Sequence, residues 1–449
     1  MKFSILPLLL CAVGMYFLVK LRFFFVVHPL KTAGKGLRAI KDARAVRSFT
    51  LALAGTLGVG NVFGVAVGMI IGGAGSLFWL MVSMIFAMVI KYAEVVITSD
   101  NLFHDVDTHG GMFYVLLSSF SGKLGIRLSK AYALTVLLLS FVLGAALQSG
   151  AVLESVGEAS SLNRTPLAII FTFLVFISVI GETKIIEKIT VFVIPLTTII
   201  YIIMALIIII QRSDQLGAVL LTVIRSALKP QSAVGGAIGF LFSAPVREGF
   251  SRGILSNEAG AGTSSMAHAR SGVINPSLAG VLGIFEVWFD TGLICFLSGI
   301  SILLSVPDPS VFDGGMQLVM YTFGTHFGSL GKYALLFCVF SFAFATVICW
   351  YYYGMESCRS LFNKRKRAVF TALFLSSVYF GCFVDSFLLV YITDVLMCAA
   401  TALTVVALIK NSDRIKHLSE IGGIIDSDSV RIKPFGIKGN VFSKGERRR

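Results

Sequence analysis

The stretch 55–64 (GTLGVGNVFG) carries the residues whose types and spacing are best suited to binding chemistry. Its four glycines loosen a helical ladder and let a ligand approach the backbone closely. A helix that ends near Leu57 leaves free carbonyl oxygens, which suit a hard cation such as Na⁺. A helix that restarts near Gly60 presents free N–H groups and the positive end of its dipole, which suit a carboxylate. The sequence therefore predicts a broken helix with binding capacity here.

Close packing between helices is the alternative explanation for these glycines. Small residues spaced along one helix face permit such packing, and the glycines at 68, 72, 73 and 75 fit that pattern. At 56–61 the small residues instead lie nearly side by side. This arrangement favours a binding site over a packing stripe.

A second stretch, 235–249, combines glycines with Pro245, Arg247 and Glu248 inside another apolar run. Proline removes a backbone donor, glycine loosens the ladder, and charged side chains are costly at membrane depth. Backbone groups freed there must be satisfied by protein, water or a ligand. We therefore expect a second broken helix in this stretch.

Two carboxylates, Glu286 and Asp290, lie four residues apart on one face of the apolar run 277–305. Ionisable residues inside such runs are candidates for function, because a buried charge is expensive. Glu286 could carry a proton, or it could pair with Arg247 or Arg252. Arg247, Glu286 and Asp290 are therefore candidate coupling or gating residues.

The elements that must position these residues are membrane helices. Of the 449 residues, 56% are hydrophobic and 14% are charged, with a mean hydropathy of +0.86, whereas soluble domains carry about 25% charged residues. A bilayer-spanning helix needs roughly 20 mostly apolar residues. The apolar runs lie near 5–27, 48–71, 74–97, 131–153, 165–181, 189–210, 232–255, 277–305, 329–353, 368–383 and 386–409. The predicted fold class is an all-α integral membrane protein with about eleven transmembrane helices.

The distribution of charge predicts which ends of these helices face the cytoplasm. The net charge is +14, and Lys and Arg concentrate in 28–47, 354–367 and the C-terminal tail, whereas 306–328 has none. By the positive-inside rule, the basic segments are cytoplasmic. The N-terminus is then outside and the C-terminus inside a plasma membrane, the inner membrane of a bacterium. The lipid bilayer, and not a nucleic acid, is the partner that this basic surplus indicates.

Two sets of five helices follow the first run. The two stretches expected to break are the first members of these sets, which have similar lengths and, because five is odd, opposite orientations. Interrupted helices at matching positions of inverted repeats indicate the binding site of a transporter. The predicted parts are an N-terminal helix with a basic loop (1–47), a first repeat (48–210), a connecting segment (211–231), a second repeat (232–409) and a basic cytoplasmic tail (410–449).

Several motifs of the chain resemble those of the alanine or glycine:cation symporter family. They are AGTLGVGN at 54–61, IGGAGSLFW at 71–79, KYAE at 91–94, RGILSNEAGAG at 252–262 with AHA at 267–269, and FAF at 342–344 with Trp350, Tyr352, Tyr353 and Gly354. The motifs span nearly the whole chain in the family's order. The SNEAGxG and GTxGxGN elements are specific enough to make chance agreement an inadequate explanation.

The resemblance implies a LeuT-like fold of five plus five helices in inverted repeats, here with one extra N-terminal helix. It also implies Na⁺-coupled uptake of a small neutral amino acid. The substrate contacts that it implies are Thr56, Gly58, Gly60, Phe141, Gln148 and Trp350. The Na⁺ ligands that it implies are the carbonyls of Ala54, Leu57 and Phe342 and the hydroxyl of Thr346.

The chain departs from the family pattern at two places. Family members carry two adjacent hydroxyl residues five and four positions before the tryptophan, where this chain has Ala345 and Thr346. The loss of one neutral oxygen weakens a Na⁺ site, which leaves proton coupling and Li⁺ tolerance open. The family's GNMVQANS reads GAALQSGA at 144–151, so Gln148 is kept and Ala145 replaces an asparagine.

Two classes of function remain open at this point. The favoured class is a secondary symporter that takes up alanine or glycine with Na⁺ by alternating access, with a proton-coupled variant as its alternative. The other class is a transporter-derived membrane sensor or scaffold without net transport. An enzyme is not expected, because the sequence has no nucleophile elbow, phosphate loop or HExxH motif. No cofactor is expected besides the coupling ion, and the oligomeric state is not predicted.

Overall fold

The computed structural model describes residues 6–39, 43–100, 111–160, 162–180, 183–228, 243–270, 275–362 and 366–425. The regular structure within these ranges is helical, and they contain no β-strand. The all-α prediction is therefore confirmed.

The helices before residue 229 include the first predicted repeat. They are α1 (Leu6–Lys20), α2 (Phe24–Val27), α3 (Pro29–Ala39), α4 (Ala43–Thr56), α5 (Phe63–Gly72), α6 (Gly75–Thr98), α7 (Met112–Ser119), α8 (Gly122–Ala159), α9 (Arg164–Ile180), α10 (Thr183–Gln211) and α11 (Ser213–Ala227). A π-helical segment, Ser140–Leu147, lies inside α8. The segment expected to connect the repeats thus contributes a helix of its own, α11.

The helices after residue 242 include the second predicted repeat and the start of the tail. They are α12 (Ala244–Asn257), α13 (Ser265–Arg270), α14 (Pro276–Ser305), α15 (Gly315–Leu361), α16 (Arg367–Gly381), α17 (Ser386–Lys410) and α18 (Ser412–Ile421). A second π-helical segment, Trp288–Cys295, lies inside α14. Helix α15 is kinked at Gly328, whose φ is +61°.

Six described helices are long and apolar enough to cross a bilayer, or seven if the bent pair α4–α5 forms one span. The six are α6, α8, α10 over Val193–Gln211, α14, α15 and α17. Three shorter apolar helices, α1, α9 and α16, coincide with further predicted runs. The first part of the run near 232–255, up to residue 242, lies outside the described residues, so the count of eleven stays a prediction.

The first break forms where the sequence predicts it. Helix α4 ends at Thr56, and a 3₁₀ turn, Val59–Asn61, leads into α5. The helical pieces before and after the break are inclined at 63° to each other. Gly58 N donates to the carbonyl of Thr56 at 2.7 Å, so the α-helical ladder stops at this point.

The break predicted for 235–249 lies partly outside the described residues, which resume at Ser243. Ser243 is extended, and helix α12 then runs uninterrupted through Pro245, Arg247 and Glu248, so a break in this stretch stays a prediction for the residues before Ala244. Pro245 causes no break because it occupies the first turn of the helix, where its missing N–H has no partner to lose. The glycines at 235, 236 and 239 lie outside the described residues.

A break that the sequence did not predict lies at 258–264, between α12 and α13. Glu258, Gly260 and Gly262 have φ values of +54°, +91° and +73°. These left-handed conformations suit glycine and end a helix. The SNEAGAG motif is therefore the point where the second repeat unwinds.

Helix α6 holds the two breaks against each other. It packs along both α12 and α14, while α5 packs against α12. Helix α15 lies against α4, α5 and α8. The ends of the broken helices are thereby enclosed by α6, α8, α14 and α15.

Candidate functional site

The end of α4 presents a backbone carbonyl to α15. Because Gly58 N bonds to Thr56 O, the carbonyl of Ala54 lacks the helical donor that would lie four residues on. The hydroxyl of Thr346 donates to this Ala54 oxygen at 3.0 Å. Two of the four predicted cation ligands, 292 residues apart in the chain, are thus in direct contact.

The four predicted cation ligands offer only neutral oxygens. Leu57 is buried in the break, and Phe342 lies one turn before Thr346 on α15. The described residues contain no group of three or more His, Cys, Asp or Glu that could hold a metal ion. Neutral oxygens fit a monovalent cation such as Na⁺ better than Ca²⁺ or Mg²⁺, which favour carboxylates. Ala345, at the position of the family's second hydroxyl, is buried and has no side-chain oxygen to offer.

Gln148 and Thr346 close around Gly58 from α8 and α15. The carboxamide oxygen of Gln148 accepts from Val59 N at 3.1 Å, and its nitrogen donates to Leu143 O at 3.2 Å. A Cβ at Gly58 would lie 2.9 Å from Gln148 Oε1 and 3.0 Å from Thr346 Oγ1. Position 58 therefore has no room for a side chain, and these predicted residues form one group, which we call the Gly58 group (Gly58, Gln148 and Thr346).

Gly60 lies where the first break meets α12. A Cβ there would be 3.1 Å from the carbonyl oxygen of Leu255. Further along α5, a Cβ at Gly68 would be 2.7 Å from Arg252 Cγ, and one at Gly72 would be 3.1 Å from the carbonyl of Ala244. Gly68 and Gly72 are therefore close-packing positions, as the sequence indicated.

Trp350 is completely buried and connects α15 to the second break. Its indole N–H donates to Glu258 Oε1 at 3.1 Å. Gly144 of α8 packs on it so closely that a Cβ there would be 2.3 Å from Trp350 Cβ. Tyr353 meets the indole edge-on, with ring centroids 5.5 Å apart. The tryptophan is therefore held in a defined position, one turn after Thr346 of the Gly58 group on α15.

Thr56 and Phe141, two further predicted substrate residues, have other partners. The Thr56 hydroxyl donates to Ala52 O at 3.2 Å, back along its own helix. The half-buried ring of Phe141 lies 5.7 Å, between centroids, from that of Phe370 on α16. The structure directs both side chains to these partners rather than into the Gly58 group.

Asp290 joins the two breaks through hydrogen bonds. This buried carboxylate accepts from the Ser256 hydroxyl at 2.6 Å and from the side-chain amide of Asn61. Next to it, the Asn257 amide donates to the Thr291 hydroxyl at 3.0 Å. Asn61 lies in the first break, and Ser256 and Asn257 end α12 just before the second. Asp290 therefore ties the broken helices to α14.

Glu286 pairs with Lys91 and His268, and not with either arginine that the sequence suggested. Its Oε1 lies 3.3 Å from Lys91 Nζ on α6, and its Oε2 lies 2.8 Å from His268 Nε2 on α13. None of the three side chains has exposed area. Of the two alternatives for Glu286, pairing with Arg247 or Arg252 is excluded, because these arginines pair with Glu248 and Asp394.

Arg247 and Arg252 belong to a separate charged group on α12. Arg247 Nε lies 3.1 Å from Glu248 Oε1. Arg252 Nη2 lies 3.4 Å from Glu248 Oε2 and 2.5 Å from Asp394 Oδ2 on α17. Of the three predicted coupling or gating residues, Glu286 and Asp290 thus lie on α14, while Arg247 belongs to the charged group on α12.

The charged residues that face the second break are not among the predicted site residues. Gly262 N donates to Glu94 Oε1 at 3.1 Å, and the Thr263 hydroxyl donates to Glu258. Lys91 lies one turn from Glu94 on α6. A signal for them exists, because Lys91 and Glu94 are charges inside a predicted membrane helix, where ionisable residues are candidates for function.

Comparison with known proteins identifies relatives over most of the chain. A family model described as the sodium:alanine symporter family matches residues 1–419. The sodium/alanine symporter AgcS of Methanococcus maripaludis is 28% identical over 352 residues, which cover 76% of this chain and 75% of that protein. The probable sodium/glutamine symporter GlnT of Bacillus subtilis is 28% identical over 388 residues, which cover 84% of this chain and 79% of that protein.

A solved structure resembles the fold. The crystal structure of MhsT in complex with L-phenylalanine matches with a TM-score of 0.52 and 15% identity, covering 84% of this chain and 98% of that chain. At this identity the likeness concerns the fold alone. MhsT has the LeuT fold, so the predicted fold class is confirmed.

Proposed function

The chain belongs to the sodium:alanine symporter family, and we propose that it takes up alanine or glycine together with Na⁺ by alternating access. The family is one of transporters, and the chain is not an enzyme. The observation that carries the proposal is the Gly58 group, where a broken helix, a carboxamide and a hydroxyl meet within hydrogen-bonding distance. These are the groups needed to hold an amino acid and a monovalent cation side by side.

The proposed substrate site is centred on the backbone of the first break. We propose that the carboxylate of an amino acid takes the place of Gln148 Oε1 at Val59 N and binds the backbone N–H groups of this turn, where Gly58 and Gly60 carry no side chain. Until the carboxylate binds, Gln148 fixes this turn through Val59 N. We assign Trp350 to the wall over the substrate side chain, with Thr56 and Phe141 as flanking residues. A fully buried indole packed on Gly144 favours a small side chain.

The proposed Na⁺ site consists of the Ala54, Leu57 and Phe342 carbonyls and the Thr346 hydroxyl. On binding, the hydrogen bond from the Thr346 hydroxyl to Ala54 O would break. The hydroxyl oxygen and the Ala54 carbonyl oxygen would then both coordinate the ion. Binding of Na⁺ at this site would couple uptake of the amino acid to the Na⁺ gradient across the membrane. Because Ala345 provides no oxygen, we expect a higher Na⁺ requirement than in relatives with both hydroxyls, with a water completing the coordination.

The family and the apolar helices make the chain a multi-pass membrane protein, and we propose the bacterial inner membrane with a cytoplasmic C-terminus. Cysteines placed at Asp313 and Arg365 test this orientation, because the basic 354–367 segment is expected inside. A membrane-impermeant thiol reagent applied from outside should label position 313 and not 365. The reverse pattern would rule out the orientation.

Uptake by the purified protein in lipid vesicles tests the function. Labelled alanine should accumulate under an inward Na⁺ gradient and not when choline replaces Na⁺. Glycine should compete with it, and glutamine and leucine should be included as competitors. Uptake that ignores Na⁺ and follows a pH gradient would favour the proton-coupled variant. Binding of alanine without uptake would favour a sensor.

A further inference from the structure

Helix α11 (Ser213–Ala227) lies between the two repeats and is too short to span the membrane. It is separated from α10 by Arg212, whose φ of −118° and ψ of 27° are not helical. Asp214 lies in its first turn and Arg225 in its last turn, where acidic and basic side chains respectively stabilise a helix through its dipole. Its 15 residues are fewer than the roughly 20 that a bilayer-spanning helix needs. A different position relative to the membrane must therefore explain its apolar residues.

One side of α11 packs on the protein. Val223 and Ala227 are buried there. Ser226 Oγ accepts from Gly75 N at 3.1 Å, and the carbonyl of Ala227 accepts from Trp79 Nε1 at 3.2 Å. Helix α11 also packs against α12 and α14. Because Gly75 is the first residue of α6, α11 is fixed at the level of the membrane where α6 begins.

A second side of α11 carries large aliphatic side chains that are exposed. They are Leu220, Leu221, Ile224 and Leu228, with exposed fractions of 37%, 45%, 45% and 55%. At about 3.6 residues per turn, these positions share one side of the helix. A single exposed leucine needs no explanation, but a contiguous apolar surface marks a contact with a partner or a membrane. This side of α11 therefore requires an apolar partner.

The third side of α11 is polar and exposed. It carries Asp214, Gln215, Thr222 and Arg225. The three sides together give α11 a mixed composition, and it is not among the described helices that are apolar enough to be candidate spans. A helix with separate apolar and polar faces and a low overall hydrophobicity lies in the plane of the membrane interface.

The lipid-facing surface of α10 leads directly to the apolar side of α11. Helix α10 is a candidate span over Val193–Gln211, and Ile203, Leu206 and Ile210 are exposed along it. Helix α11 follows after one residue and packs against α10. Trp79 has an apolar ring and a bonded N–H group, the combination that is frequent at membrane interfaces. Lipid is therefore the partner that already contacts the neighbouring surface.

We propose that α11 is an interfacial helix, which lies along the membrane surface with its apolar side in the acyl chains and its polar side in water. Arg225 borders the apolar side, where its guanidinium can reach the phosphate of a lipid headgroup. The bilayer then holds the ends of α6, α12 and α14 to which α11 is attached. In the proposed orientation this is the outer leaflet. The position of α11 does not depend on the transport activity, because no substrate or ion takes part in it.

Two labels applied to the unmodified protein test this position. The protein is placed in nanodiscs of phosphatidylethanolamine and phosphatidylglycerol that contain a phospholipid with a photoreactive diazirine in its acyl chain. In a parallel sample, hydroxyl radicals are generated in the water. Mass spectrometry should find the diazirine on Leu220, Leu221 and Ile224, at least about fivefold above Gln215 and Thr222. Hydroxyl radicals should spare the same three aliphatic side chains.

Two results of the labelling would overturn the proposal. Attack of hydroxyl radicals on Leu220, Leu221 and Ile224 would place the apolar side of α11 in water. Protection of these side chains from both reagents would mean that another segment of the chain, or a second copy of it, covers this side instead of lipid.

A matched pair of double variants gives a second test. Leu221→Asp with Ile224→Asp places two carboxylates on the apolar side, and Gln215→Asp with Thr222→Asp adds the same charge to the polar side. Diazirine labelling of Leu220 should fall at least about tenfold in the first variant, because α11 loses the burial of two aliphatic side chains in lipid. The labelling should persist in the second variant. Equal labelling of Leu220 in the two variants would contradict an interfacial position.

A milder variant keeps the comparison if the first double variant does not fold. Leu221→Ser with Ile224→Ser should lower the diazirine labelling of Leu220 in the same direction by a smaller factor. None of these measurements uses uptake, so a failure of the proposed function would leave the position of α11 to be decided by the labels.

Discussion

The two breaks, 57–62 and 258–264, occupy matching places in the two repeats but have different surroundings. At Gly58 the first break meets uncharged groups, the Gln148 carboxamide and the Thr346 hydroxyl, and its contact with an ionisable group is made by the Asn61 side chain, which donates to Asp290. The second break contacts ionisable groups, with Glu94 accepting from Gly262 N and Lys91 donating to Ser264. Both breaks place glycine beside neutral side chains, Gly58 beside Gln148 and Thr346 and Gly262 beside Tyr132 and Thr404, so the difference between them lies in their ionisable partners.

This difference indicates that the two repeats have different roles. Neutral dipoles can release a ligand readily, because no full charge is left unpaired when the ligand departs. Buried ion pairs, in contrast, are costly to separate and give a contact that is either made or broken. We therefore expect ligand binding to depend on the first break and conformational stability to depend on the second. The following substitutions test that contrast.

Gly58→Val should have the largest effect on transport. Its Cβ alone would stand 2.9 Å from Gln148 Oε1 and 3.0 Å from Thr346 Oγ1, so the substitution displaces the Gly58 group. Uptake should fall below about one hundredth of the unmodified rate, while the protein still reaches the membrane. Gly217→Ala on α11 is the control, because nothing lies within 4 Å of a Cβ there. Normal alanine uptake by Gly58→Val would place the site elsewhere.

Lys91→Met should have the largest effect on stability. It leaves the carboxylate of Glu286 without its ammonium partner in a fully buried position. Removing one partner of such a pair costs about 3–5 kcal/mol, which should appear as a large fall in the thermal unfolding midpoint in detergent. Lys130→Met on the exposed face of α8 is the matched control. Equal midpoints for the two variants would remove the contrast between the breaks.

Thr346→Ala should raise the Na⁺ concentration needed for half-maximal uptake by about tenfold, with little change in stability. It deletes a proposed neutral Na⁺ ligand next to Ala54 O. Ala345→Thr should lower the requirement by restoring a second oxygen. Thr322→Ala is the control, because that buried hydroxyl donates only along α15, to Leu318 O at 2.9 Å. A Na⁺ dependence that is unchanged in Thr346→Ala would refute the assigned cation site.

Substitutions of Trp350 should have the smallest effect on the rate of alanine uptake and should reveal how the two breaks are linked. Trp350→Phe keeps a ring on Gly144 but loses the bond to Glu258, so uptake should change only about two- to threefold. Trp350→Ala should admit larger substrates, measured as competition by leucine. If neither variant changes the range of competing amino acids, Trp350 serves packing only.

The sequence by itself determined the membrane helices and the first break. Long apolar runs specify membrane helices because a backbone in lipid must satisfy its own hydrogen bonds. The glycines around Leu57 specify the first break because they are local to the turn that they form. Glu286 and Asp290 could also be identified from the sequence, because a carboxylate within an apolar run stands out from its neighbours along the chain.

Only the tertiary structure decided the partners of these residues and the place of the second break. Lys91 and Glu286 are 195 residues apart, and no local pattern distinguishes Lys91 from the arginines of α12 as the partner. Pro245 resembles a helix breaker in sequence but lies in the first turn of α12. Glu258 has a left-handed φ of +54°, which a glutamate does not ordinarily adopt and the sequence therefore does not predict. Helix patterns depend on neighbours along the chain, but charge pairing and break position depend on which helix faces pack together. The packed molecule decides the partner of Glu286, because Lys91 and His268 come within reach of it only when α6, α13 and α14 pack against one another.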